Sequence, residues 1–340
     1  PLSPPVSGPL TAYDQPQQAT HQRTGRWRFQ WLRMHKPMSA VTELNARGWI
    51  AQPKRDSMIR QTAAILTLLL LQGCSAIKLG YQQLPTFSYW WLDSAVSFND
   101  AQADRAKEAL GNVHRWHKSQ ELASYLDLLQ RSAELSQGPV QASQVCSAWA
   151  DVQTKIDRSM RVAVAQAAPV AQLLGPRQLS HLARHQESKN EDWDQQWLQG
   201  SASERLDRRL EKTLERYRSF YGDLSAAQIA LVKAQVGQSA WSPEWGRHDR
   251  LRREQDLLST LRQVTQSKAP PDQVEAALFG VWQRWFMPPD EAGRALVQKM
   301  TQQACDNLAQ LHNTTSTEQR QRVARTVRDY ERDIRDLIKP

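Results

Sequence analysis

The sequence contains little that would build a β-sheet or span a membrane. Only 14 of its 340 residues are glycine, and it shows no strand-like alternation, glycine-rich phosphate loop or hydrolase nucleophile elbow. The apolar run at residues 63–71 is too short to cross a hydrocarbon core of about 30 Å as a helix. Since 40% of the residues are hydrophobic, a sizeable core is available. We expect an all-α fold, an irregular bundle of about eight or nine helices without a sheet.

The net charge of +9 is concentrated at the front of the chain. Residues 1–73 carry nine Lys or Arg and three acidic residues, whereas residues 74–340 carry 35 and 32. Nucleic-acid-binding modules usually gather basic side chains on one face. Because residues 74–340 are nearly neutral, we expect no nucleic-acid partner.

The apolar run has the surroundings of a secretory signal peptide. Met58 and Arg60 precede it, and a small residue, Gly73, comes directly before Cys74. Residues 71–74 (LQGC) resemble the bacterial lipobox, in which the cysteine receives diacylglycerol and the peptidase cuts after the small residue. We therefore expect cleavage after Gly73 and a membrane anchor on Cys74, with no cofactor beyond this covalent lipid. Ser75 lacks the acidic side chain of inner-membrane retention, which favours the outer membrane, facing the periplasm.

The predicted signal peptide and lipidation site define the expected domain organisation. Residues 1–57 are expected to be a mis-assigned or disordered upstream segment, 58–73 the signal peptide, 74–98 a lipidated N terminus and tether, and 99–337 a helical periplasmic domain. An alternative for the first segment is a basic arm for RNA, because it carries Trp27, Trp31 and Trp49 among arginines. Signal cleavage would remove such an arm.

Helix starts recur along the mature chain as a short polar or proline-flanked residue with Gln three positions later. They occur at 99–102, 141–144, 175–178, 225–228, 270–273 and 316–319. The best of them are capping boxes, in which each side chain bonds the backbone N–H of the other residue. Their spacing is irregular, which argues against a solenoid. Small periplasmic helical chaperones carry a faintly similar Leu-Thr-x-x-Gln motif, so a chaperone or stress protein is an alternative function.

Two cysteines remain once Cys74 is lipidated. In an oxidising periplasm Cys146 and Cys305 can pair, and we expect this disulfide; the alternative is two separate buried thiols.

Two histidine patterns are candidate sites. His117 and Glu121, beside Trp116, are one helical turn apart and could act as an acid–base pair of a cell-wall or lipid hydrolase, but no nucleophile accompanies them. We favour a structural hydrogen bond. His181 and His185 have the spacing of two metal ligands but no third ligand, a pattern more typical of a solvated helix face. No metal is expected.

The tryptophans allow two interpretations. Tyr89-Trp90-Trp91 suits a membrane interface or a core anchor, and we favour the core. The helix-spaced pairs Trp193/Trp197, Trp241/Trp245 and Trp282/Trp285 are expected to seal helix contacts, although a sugar-stacking groove would use the same residues.

Several motifs together resemble a proteobacterial lipoprotein family of unknown function. They are CSAIKLGY at 74–81, YWWLD at 89–93, Trp116-His117 with Glu121-Leu122, Asn190, FYG at 220–222, and Leu311-His312-Asn313 leading to Gln319-Arg320. The resemblance covers residues 74–337 and implies a helical envelope lipoprotein without an assigned activity. Trp116, His117, Glu121, His312 and Asn313 are its candidate surface. Asn313-Thr314-Thr315 matches a glycosylation sequon, but we expect a helix joint capped at Ser316. The leading hypothesis is a non-catalytic binding or structural lipoprotein with an envelope protein or the cell wall as partner.

Overall fold

The structure, a computed structural model, describes residues 76–267 and 269–339. The chain divides into two units, residues 1–66 and 67–340, and all described residues belong to the second. The upstream segment, the signal peptide, Gly73 and the lipidation site Cys74 lie outside the described residues.

The described residues are almost entirely helical and contain no strand, which confirms the all-α class. The α-helices are α1 (Ala76–Gln82), α2 (Leu84–Val96), α3 (Asp100–Trp116), α4 (Tyr125–Leu135), α5 (Ala142–Gln172), α6 (Pro176–Trp197), α7 (Ala202–Tyr221), α8 (Ala226–Gly237), α9 (Pro243–Ser267), α10 (Pro271–Phe286), α11 (Glu291–Asn313) and α12 (Thr317–Ile338). None of these described helices is both long and apolar enough to cross a bilayer.

This is more than the eight or nine helices expected, for two reasons. Residues 76–96, assigned from sequence to a tether, instead form α1 and α2, and Lys78 of α1 makes an ion pair of 2.8 Å with Asp336 of α12. The helical chain is also interrupted between α3 and α4 by a π-helical turn (His117–Glu121) and a short 3₁₀ turn (Leu122–Ser124). Neither turn contains glycine or proline, so the sequence carried no signal for this break.

Helix α5 is central to the packing. It contacts α3, α9, α10 and α11 in the described part of the chain, while α12 packs along α4. A disulfide joins Cys146 of α5 to Cys305 of α11. Buried side chains gather in separate clusters, one including Leu182 and Leu261 and another including Leu214, Tyr221 and Leu311.

All six predicted helix starts open helices, and several of their glutamines have a second role. Gln102 accepts from Asn99 N–H through Oε1 and donates from Nε2 to the carbonyl oxygen of Leu173, at the end of α5, at 2.6 Å. In the same way Gln228 reaches Thr314 O after α11 at 3.1 Å. A glutamine thus caps its own helix and satisfies a carbonyl left unpaired at the end of another.

Candidate functional site

His117 lies between two tyrosines at the end of α3. Its Nδ1 is 2.8 Å from Tyr81 Oη of α1, and its Nε2 is 2.8 Å from Tyr125 Oη of α4. One phenol therefore donates to the acceptor nitrogen of the neutral ring while the other accepts from its N–H. This Tyr–His–Tyr bridge ties α1 to the body of the domain.

Burial keeps the bridge uncharged near neutral pH. It lowers the pKa of His117, against the opposing effect of the Glu121 carboxylate. Burial, followed by the effect of neighbouring Tyr125, raises the pKa of Tyr81 to about 12. Burial also raises the pKa of Tyr125. Because both imidazole nitrogens already bond phenols, the geometry agrees with a structural role for His117.

The alternative pairing of His117 with Glu121 is not among the bonds of either side chain. The Glu121 side chain is only 1% exposed, accepts from Ser124 Oγ at 3.0 Å and lies 3.0 Å from Arg158 Nε. The Arg158 guanidinium in turn lies 5.8 Å from the centre of the Trp116 ring. Arg158 belongs to α5, so the Glu121 carboxylate is turned towards that helix.

His312 and Asn313 form a joint between α11 and the loop before α5. His312 Nε2 donates to Gly138 O at 2.9 Å and its Nδ1 accepts from Tyr221 Oη at 3.0 Å. Asn313 bonds both the N–H and the carbonyl of Val140, each at 2.9 Å. Ser316 accepts from Gln319 N–H and begins α12, so the expected helix joint is present.

The His181/His185 pair is not grouped with further metal ligands. His181 Nδ1 lies 3.1 Å from the carbonyl oxygen of Ala95, which places the ring against α2. Over the described ranges, no three His, Cys, Asp or Glu side chains come together in a way that could hold a metal ion.

The aromatic segment of α2 is mostly outside the core. Tyr89 stacks on Phe98, but Trp90 is 60% and Trp91 68% exposed. The core interpretation is therefore wrong for both tryptophans. With Leu84 and Phe87 they follow helical spacing, and Phe87 contacts Trp90 edge to face at 5.8 Å between centroids. We call Leu84, Phe87, Trp90 and Trp91 the α2 apolar stripe.

Three tryptophans seal contacts between α6 and the start of α9. Trp193, Trp197 and Trp241 pack with centroid distances of 5.8 to 6.5 Å. Beside them is a groove of about 590 Å³, which we call the tryptophan groove. It is lined by residues of α2, α6, α9 and α10, among them Trp91, Trp193, Trp245, Trp285, Lys189, Arg250 and Arg253.

Next to the tryptophan groove is a cavity that sequence reasoning missed. It measures about 460 Å³ and lies among α2, α3, α5, α6, α9 and α10; we call it the apolar cavity. Apart from Gln166 and the indole of Trp91, its described lining consists of hydrocarbon and thioether side chains. The alanines at 106, 109, 163 and 167 face it, and their small side chains are the one sequence feature that could have indicated free space.

Fold and site together define a disulfide-linked, all-helical domain with an amphipathic cleft among its described residues. The chain belongs to the family of unknown function DUF6279, whose model matches residues 94–273. The match runs from the end of α2 to the start of α10 and so includes most of both cavities' lining. No curated protein and no solved structure matches the chain.

Proposed function

We propose that this protein is a lipid-anchored, non-catalytic binding protein of the bacterial cell envelope, held by lipid on Cys74 and facing the periplasm, at the outer membrane in preference to the inner. The observation that carries the proposal is the α2 apolar stripe. It begins ten positions after the lipobox cysteine, and its four large apolar side chains are 47 to 68% exposed.

A membrane surface is the occupant that suits this stripe. Acyl chains on Cys74 would hold the neighbouring residues at the bilayer, and tryptophan rings favour the interface between headgroups and hydrocarbon. Ile77 and Leu79 of α1, 45% and 56% exposed, lie between Cys74 and the stripe in the sequence and add further exposed apolar side chains. An exposed apolar patch is unfavourable in water, and contact with a membrane would bury it.

The chaperone alternative has less support. Its motif, a residue with a short polar side chain followed three positions later by Gln, is accounted for by helix caps and by glutamines that bond a second helix. The hydrolase alternative depended on His117 and Glu121, whose bonds go to other partners.

The anchor is tested by the intact mass of the protein recovered from the membrane fraction, beside a Cys74→Ala variant. We expect the unaltered protein to begin at Cys74 with acyl groups attached, and the variant to leave the acylated membrane pool. A soluble, unprocessed, unlipidated chain would overturn the proposal and return attention to the basic arm with Trp27 and Trp31.

Membrane contact of the stripe is tested by quenching of tryptophan fluorescence with brominated phospholipids. A Leu84→Ser/Phe87→Ser variant of the anchored protein should be quenched less than the unaltered protein. The control is Leu251→Ser in α9, which removes a side chain of similar exposure, 45%. Equal quenching in all three proteins would contradict contact through the stripe.

A further inference from the structure

The apolar cavity has the size and chemistry of a ligand site. Ligand pockets commonly measure about 300–1,000 Å³ and are lined mainly by apolar side chains, and the cavity's volume is about 460 Å³. The cavity is a partly open cleft along the core cluster that includes Leu182 and Leu261, both of which line it.

Small side chains of two helices contribute to this space. Ala106 and Ala109 of α3 and Ala163 and Ala167 of α5 all line the cavity. Larger residues such as Leu257 and Leu278 line it as well. The result is an apolar space whose volume suits one hydrocarbon chain.

The apolar cavity is continuous in its lining with the tryptophan groove. Trp91, Ala95, Leu182 and Leu257 line both. One end of the combined site is therefore lined by hydrocarbon side chains, while the other end is lined by cationic and aromatic side chains.

The groove carries more positive than negative side chains. Its lining includes Lys189, Arg250 and Arg253 and two carboxylates, those of Asp249 and Glu254. Arg250 pairs with Glu254 at 3.2 Å and Arg253 with Asp249 at 2.5 Å. These two pairs are neutral, so the remaining positive charge of the lining is that of Lys189, whose own partner Asp192 lies outside the lining at 2.9 Å.

Sugar stacking suits the groove less well. Arg250 lies over the Trp193 ring at 5.7 Å and Arg253 over the Trp285 ring at 5.1 Å. Guanidinium groups thus already cover ring faces on which a pyranose would stack.

We propose that the apolar cavity and the tryptophan groove form one binding site for a single-chain acyl amphiphile with an anionic head. The hydrocarbon tail fills the apolar cavity, and the carboxylate or phosphate head lies in the tryptophan groove near the ammonium group of Lys189. This deepens the proposed binding role by naming a ligand class, but it does not depend on the anchor at Cys74.

The experiment is calorimetric titration of the full chain carrying Cys74→Ser, which cannot be acylated at that position. The probes are laurate, myristate and palmitate, then lysophosphatidylglycerol, and a chitin oligosaccharide for the sugar alternative. Binding of the fatty acids should weaken roughly tenfold for every two methylenes removed. Tighter binding of lysophosphatidylglycerol than of palmitate would identify a phospholipid source; the reverse order would identify free fatty acid.

Variants then locate the site. Ala163→Phe should fill the apolar cavity and abolish palmitate binding, whereas Ala165→Phe, two positions along α5 and outside the lining, should leave it unchanged. Lys189→Gln keeps a long polar side chain but removes the positive charge, and should weaken binding of palmitate roughly three- to tenfold.

The chain-length series requires no cavity substitution, so it decides the question even if Ala163→Phe fails to fold. Absence of fatty-acid binding, affinity independent of chain length, or binding of the oligosaccharide alone would overturn the proposal. If the mass measurement showed no lipid on Cys74, the ligand-binding proposal would still stand. If no fatty acid bound, the proposed anchor on Cys74 would still stand.

Discussion

Replacing Gln102 by glutamate should separate the two roles of this side chain. Glutamate keeps an oxygen that can accept from the Asn99 N–H, so the cap of α3 survives. It loses the amide N–H₂ that donates to Leu173 O at 2.6 Å. A carboxylate oxygen would then face a carbonyl oxygen in a position that is only 3% exposed.

The expected cost follows from this geometry. Loss of the donor leaves Leu173 O without its partner, which costs about 1–3 kcal/mol. A negative charge in the first turn of a helix returns about 0.3–1 kcal/mol. We expect Gln102→Glu to lower the free energy of unfolding by about 1–2 kcal/mol.

The chain offers a matched control in Gln144. It accepts from Gln141 N–H at 2.8 Å in the first turn of α5, but it is exposed. Gln144→Glu should change stability by less than about 0.5 kcal/mol. Denaturant unfolding of the two variants at neutral pH measures the difference, and equal losses would refute the second role assigned to Gln102.

Two further predictions concern pH and the disulfide. Burial lowers the pKa of His117 and of His312 below the ordinary 6.5, so the unfolded chain binds more protons and stability should fall as the pH drops below that value. Denaturant unfolding across this range should show a smaller fall in His312→Gln, and an identical fall would contradict the assignment. Replacing Cys146 and Cys305 together by serine should lower the free energy of unfolding by about 5 kcal/mol, since it opens a loop with a sequence separation of 159. Reduced and oxidised protein should differ by a similar amount in denaturant unfolding, and no difference would argue against the bond.

Local chemistry explains what the sequence could predict. Helix starts such as Ser225 and Ser316 were readable because a cap involves residues only three positions apart. The stripe of α7 that includes Leu214 and Tyr221 was readable from helical spacing, and both side chains are buried. The disulfide followed from having two cysteines left to pair.

Features that depend on contacts between residues far apart in the sequence could not be predicted in this way. Glu121 was placed beside His117 by sequence spacing, but its partner Arg158 belongs to another helix and no local rule brings them together. The apolar cavity was hidden for a similar reason. In the sequence, Ala163 and Ala167 indicate only that the segment forms a helix readily. That their small side chains border a cavity depends on how six helices are arranged.

The disulfide between α5 and α11 also has a consequence for folding, because its two cysteines are synthesised at different times. Cys146 is synthesised well before Cys305, and α6 to α10 lie between them. If export proceeds from the N terminus, the ring can close only when the chain has almost completely emerged. Until then Cys146 is a free thiol that a foreign cysteine can capture. An enzyme whose thiolate attacks wrong disulfides and releases their cysteines to pair again would therefore shorten the time this protein takes to reach its native state.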